Sequence, residues 1–260
     1  MLRAGSGEAG DAAPRAPFRE PRMTVPEQAT SHRTFHEKLD TLKQRLVAMS
    51  QQAEELLNLA VEALLARDVG KAEAVLEHDR EIDKLEVEIE GHAIALLALQ
   101  QPMARDLRFI ISAIKITSDL ERVGDHAVNI ANSVLRTRDL EPAITPPPEF
   151  REMADRAREM LRDALDAVVR EDGALGRDVC RRDDHVDALH ESIFRILLTH
   201  MAEDPATISA GLELLLVSRN LERVADLATN IAEDAVYLAE GKTIKHHLEE
   251  EEAAPRPVHA

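Results

Sequence analysis

The sequence predicts an all-α fold, a tandem of two three-helix bundles with six long helices side by side, and three observations lead there. Hydrophobic residues make up 44% of the 260 residues, yet aromatics make up only 2% and tryptophan is absent. A core of Leu, Ile, Val and Ala favours helices, because strands are enriched in aromatic and β-branched side chains. Apolar residues recur at steps of three and four, the period of a helix with one buried face. Finally, the stretch LERVGDHAVNIA at Leu120–Ala131 returns as LERVADLATNIA at Leu221–Ala232.

Taken in order, residues 1–30 mix Gly, Ala, Pro, Arg and Ser without periodicity. Such a segment buries too little apolar area to offset the ordering of its backbone, so a disordered extension is expected, with Met23 a candidate for the natural first residue. The first repeat is expected over 31–140. Its first helix runs from about Thr34 to Arg67, with Leu39, Leu42, Leu46, Met49, Ala53, Leu56, Ala60 and Leu64 on one face. The second runs from about Gly70 to Gln100, with Val75, Ile82, Leu85, Ile89, Leu96 and Leu99 as its stripe. Pro102 interrupts the pattern, and a third helix follows from about Ala104 to Arg138. A proline-rich linker is expected over 141–148.

The second repeat is expected over 149–241, with helices from about Glu149 to Glu171, Leu175 to Ala202 and Pro205 to Glu240. The charged, aperiodic residues 242–260 are expected to be a disordered tail. Duplication is checked by subtraction: Asp79 and Asp83 align with Asp183 and Asp187 at an offset of 104, and Glu121 and Asp125 with Glu222 and Asp226 at 101. Shortening the connection between second and third helices by three residues reconciles the two offsets.

Charge and cysteine content narrow the function. A formal net charge of −17 repels a phosphate backbone, which excludes nucleic-acid binding as the expected role. The single cysteine, Cys180, allows no intrachain disulfide and points to a reducing compartment. No run approaches the roughly 20 apolar residues that span a bilayer, and the first thirty residues lack a secretory apolar region, so a soluble cytoplasmic protein is expected.

The repeated motif carries the chemistry. Glu121/Asp125 and Glu222/Asp226 are each four residues apart, which stacks both carboxylates on one helix face. Like charges so placed repel by roughly 0.2–0.5 kcal/mol, a cost that a cation removes. On the third helix Ala113, Ile116, Leu120, Val123, Ala127, Ile130 and Val134 form the apolar stripe, and the acids lie on the opposite face. A second ridge, Leu107, Ile111 and Ile114, repeated by Leu212 and Leu215, precedes the acids and is expected to be buried in a central helix. Asp79 and Asp83, and likewise Asp183 and Asp187, flank the stripe of the second helix. Packed side by side, the two helices would bring four carboxylates together in each repeat. Such a donor set suits iron, manganese, magnesium or zinc. The plain alternative is a solvated acidic face salt-bridged by Arg122 and Arg223.

Other candidates are weaker. Asp187-x-x-His190 resembles half of a di-iron signature, but its counterpart at Glu86 is followed by no histidine. His32 and His36 have ligand spacing at the edge of the expected disorder. His126, matched by Leu227, reads as a packing histidine, and Cys180, matched by Leu76, reads as core. No glycine-rich phosphate loop, nucleophile elbow or HExxH occurs.

QQPMARDLR at Gln100–Arg108, the two Glu-Arg-Val-x-Asp segments, the Asn-Ile-Ala after each and the tandem plan together resemble the PhoU family of phosphate-transport accessory and regulatory proteins. The resemblance covers about residues 34–240. It implies a cytoplasmic, often dimeric all-α protein with metal clusters at motif residues Glu121, Asp125, Glu222 and Asp226, and Asp79, Asp83, Asp183 and Asp187 as co-ligands. It also implies two partners, the ATPase of the high-affinity phosphate ABC transporter and a phosphate-sensing histidine kinase, with membrane contact only through them. The expected role is a non-catalytic negative regulator of the phosphate-starvation response. The alternatives are a di-metal helical-bundle enzyme and a metal-free structural adaptor.

Overall fold

The computed structural model describes residues 25–100 and 102–244, with side chains from residue 35 onward except that of residue 100. Residues 1–24 with Met23, the side chain of His32 and residues 245–260 lie outside that range. Six long helices make up the fold: α1 (Val25–Ala66), α2 (Val69–Gln100), α3 (Ala104–Thr137), α4 (Pro148–Arg170), α5 (Gly173–Glu203) and α6 (Ile208–Glu240). Among the described residues there is no strand.

Several helix ends differ from expectation for local reasons. α1 begins at Val25 rather than near Thr34, so residues 25–30 are helical and not part of an irregular extension. Pro26 sits in its first turn, where a missing backbone N–H costs nothing. α5 begins at Gly173 because the Asp172 side chain accepts from the backbone N–H groups of Ala174 and Leu175, each at 3.0 Å. Pro205 opens a short 3-10 turn rather than α6, and Asp204 caps that turn through the N–H of Ala206. α6 ends on Gly241 at φ 73°, a left-handed closing position that suits glycine.

The periodic stripes form the core. Leu42, Met49, Val75, Ile89, Ile116, Leu120, Val123 and Ile130 are buried, as are their second-repeat counterparts Met153, Val179, Ile193, Val217, Leu221, Val224 and Ile231. Burying a large aliphatic side chain stabilises by roughly 1.5–3 kcal/mol, so these stripes hold the helices together. The expectation fails on the outer side. Leu99 is exposed, and Leu107, Ile111 and Leu212 stand at the surface, because no helix covers that side of α3 and α6.

α3 and α6 pack against each other at the centre, with α2 beside α3 and α5 beside α6, while α1 and α4 cover one side and touch each other. The two repeats meet antiparallel. Lys115 reaches Asp234 at 3.4 Å and Arg136 reaches Glu213 at 2.8 Å, so α3 numbering rises as α6 numbering falls. α1 and α4 cross the same way, with Arg158 on Asn58 and Arg162 on Glu54. A two-fold-like relation between the repeats follows. The connection between them is more than a spacer, since Ile144 packs into the core and lies 3.6 Å from where a side chain on Gly211 would begin.

Candidate functional site

The uncovered side of α2 and α3 carries the acids of the first repeat. Gly124 lets the two helices approach closely: a Cβ there would lie 3.1 Å from Asp79 Oδ1 and 3.3 Å from Ile82 Cδ1. The Asp79 carboxyl is therefore pressed against α3 beside Asp125. The corresponding second-repeat position holds Ala225, fully buried.

The acids act on one another. Burial, followed by the charges of Asp125, Glu86, Asp83 and Asp79, pushes the Glu121 carboxyl up to about 7. Asp79 is raised by burial and then by Asp83 and Asp125. In the second repeat burial raises Asp183 to about 6, with Asp226, Asp187, Asp184 and Glu222 adding to it. Asp187 is raised by burial and by Asp226 and Asp184. Within each repeat, carboxyls from two helices lie close enough to disfavour one another's charge.

Counter-charges distinguish the repeats. Arg223 lies 2.9 Å from Asp226 Oδ2 and 3.8 Å from Glu222 Oε2, so part of the second ridge is salt-bridged within the chain. Arg122 instead turns to Asp119, at 3.9 Å. Among the described residues no ion pair reaches Asp79, Asp83, Glu121 or Asp125.

The fit to a cation can be tested on these side chains. An all-carboxylate donor set is that of a hard cation. Asp183 Oδ1 is buried without a hydrogen-bond partner, an orphan acceptor beside four other carboxyls. Against these stands one fact: among the described residues no three His, Cys, Asp or Glu side chains are drawn together tightly enough to grip one ion. Repulsion between carboxylates spreads them when nothing positive lies between. The donor chemistry is that of a hard cation and the first ridge has no internal counter-ion, but among the described residues neither ridge is drawn into a ligand set.

Glu86 belongs to the first cluster and was not among the expected ligands. Its spacing to Asp83, three residues on a helix, was the available signal. The histidines are engaged elsewhere: His190 Nδ1 lies 3.1 Å from Ser218 Oγ, and His126 Nδ1 lies 2.9 Å from Asn220 Oδ1, tying α3 to α6. Cys180 is half-buried, and burial pushes its thiol up to about 11, which leaves it inert. Among the described residues no helix is long and apolar enough to cross a membrane.

A family model described as the PhoU domain matches residues 46–134 and again residues 150–235. Among relatives, the phosphate-specific transport system accessory protein PhoU homolog of Clostridium acetobutylicum is 38% identical over 215 residues, covering 82% of this chain and 98% of that protein. The homolog from Aquifex aeolicus is 39% identical over 213 residues, covering 82% and 96%. Among solved structures, the crystal structure of PhoU from Pseudomonas aeruginosa superimposes with a TM-score of 0.78 at 37% identity, covering 80% of this chain and 100% of that one. The phosphate transport system regulatory protein PhoU from Streptococcus pneumoniae gives a TM-score of 0.75 at 30% identity, covering 81% and 99%.

Proposed function

The chain belongs to the PhoU family, and on that premise we propose that it is a non-enzymatic accessory regulator of phosphate transport. In this reading it works in the cytoplasm as a homodimer and holds the phosphate-starvation response off when phosphate is plentiful. It does so by docking both the transporter's ATPase subunit and a phosphate-sensing histidine kinase.

The observation that carries the metal part of the reading is the pair of carboxyl ridges, each built from two helices and each with acids held above their ordinary range. Asp79, Asp83, Glu121 and Asp125 would hold one site, and Asp183, Asp187, Glu222 and Asp226 the other. A bound divalent or trivalent cation, from among iron, zinc, manganese and magnesium, would supply positive charge between neighbouring helices. With such an ion bound, Glu121 would be held ionised at neutral pH, and its charge and those of its neighbours would tie the two helices that carry the docking face to each other.

Two observations weigh on the alternatives. A di-metal enzyme on a bundle needs histidine ligands on paired helices, whereas His190 and His126 are turned to Ser218 and Asn220, and the position matching His190 is Glu86. The metal-free adaptor is favoured in the second repeat by the Arg223 salt bridge, and in both repeats by the spread of the carboxyls.

Deleting the gene should switch phosphate-starvation genes on in phosphate-rich medium, read by reporter expression. A deletion strain whose response stays off in rich medium and on in starvation, as in the parent, would remove the regulatory reading.

A further inference from the structure

The acidic ridges leave unexplained the apolar surface that runs in line with them. Along the outer face of α3, toward its N-terminus, Asp125 and Glu121 give way to Ile111 and Leu107, which are 38% and 36% exposed. Beside them on α2 stands Ile94 at 60%. The antiparallel register fixed where Asp79 meets Gly124 brings Ile94 within about a turn of Ile111.

The second repeat carries the same surface. Leu198 on α5 is 52% exposed and Leu212 on α6 is 52% exposed, and these are the positions that match Ile94 and Ile111. Single exposed apolar residues are ordinary, but clusters of them at matching places in both halves mark an interaction surface. Because α3 and α6 run antiparallel, the two clusters lie toward opposite ends of the molecule.

Charge selects the occupant. Each cluster adjoins an acidic ridge, and the chain carries a net charge of −17. A second copy laid on this face would set acid against acid, and an anionic bilayer would be repelled as well. A segment that is apolar at one end and basic at the other meets both parts of the surface. Roughly 15 Å of helix axis separates Ile111 from Glu121, which is about ten residues of a helix laid alongside.

We propose that the α2/α3 face and the α5/α6 face are twin docking surfaces. Each takes a helical protein segment that has large apolar side chains in one half and lysines or arginines about ten residues away. One chain binds two such segments, one per repeat, which suits a partner that presents the same segment twice. The proposal deepens the docking part of the function above and rests on it; the basic half meets the carboxylates that would otherwise hold a cation, so the segment binds the metal-free ridge, and the phosphate response is not used.

The test is calorimetric titration of the full chain, after EDTA treatment, with a 20-residue synthetic helical peptide that carries leucines in one half and lysines in the other. A scrambled peptide of the same composition is the control. Two peptides should bind per chain, the scrambled peptide at least tenfold more weakly. The double substitution Ile94→Ser and Ile111→Ser should leave one site, and adding Leu198→Ser and Leu212→Ser should leave none.

Equal binding of the scrambled peptide would reduce the effect to plain charge attraction and overturn the proposal, with no variant needed. Unchanged stoichiometry in folded variants would overturn it too. Self-association of the free chain that vanishes in the variants would assign the face to a second copy instead, and variant-sensitive binding to anionic phospholipid vesicles would assign it to a membrane. Variants that lose peptide but restore normal phosphate control to the deletion strain would sink this proposal and leave the function standing. A deletion strain with normal control would sink the function whatever the peptide does.

Discussion

At Glu121 the environment works against ionisation. Burial and four neighbouring carboxyls lift its acid to about 7 from an ordinary 4.5. Between those two values the folded chain holds a proton that the unfolded chain has lost, so the metal-free protein loses stability as pH rises from 4.5 to 7. Asp183, raised to about 6, acts in the same sense. Thermal melts in EDTA should therefore give a higher Tm at pH 5.5 than at pH 7.5. Glu121→Gln should stabilise the metal-free chain at pH 7.5 by about 0.5 kcal/mol or more and flatten that slope, whereas an unchanged slope would contradict the crowding described here. The motif spacing in the sequence placed Glu121 and Asp125 on one face. The spacing of Glu86 from Asp83 put it on the same side of α2, but that this side lies opposite Glu121 is fixed by helix crossing. Spacing could not tell that Arg223 turns to Asp226 while Arg122 turns to Asp119.

Helices illustrate a second limit. Periodicity identifies which residues share a face and so located buried stripes in the first three helices, from Leu42 in α1 to Val134 in α3. Whether a neighbour covers a face is a tertiary fact. Leu107, Ile111 and Leu212 look like core by composition and stand exposed because α1 and α4 cover only one side. Helix ends depended on caps that the stripes do not reveal, as Asp172 and the first turn of α1 demonstrate. Close approach between α5 and α6 is testable at Gly176, where a Cβ would fall 2.7 Å from the backbone oxygen of Ala232. Backbone cannot yield as a side-chain tip can, so Gly176→Ala should push the helices apart and cost about 1–3 kcal/mol despite its better helix propensity. Urea unfolding measures this, and a neutral or stabilising result would mean that α5 and α6 are free to separate at that point.

Across the whole molecule, duplication was legible from two constant offsets between matching residues, but the way the repeats meet was not. The antiparallel pairing of α3 with α6 rests on contacts such as Arg136–Glu213 and His126–Asn220, and the matching positions Tyr237, Ser112, Leu227 and Asp119 could not repeat them. That arrangement gives the protein one acidic ridge and one apolar cluster per repeat, a surface made to hold and to be held. Whether the ridges bind cations is decided by elemental analysis of the purified full chain. The wild type should carry iron, zinc, manganese or magnesium, and alanine at Glu121, Asp125, Glu222 and Asp226 together should remove that metal while helix content by circular dichroism stays intact. A folded variant with the wild type's metal content, or a wild type that takes up none of the four ions, would contradict the account.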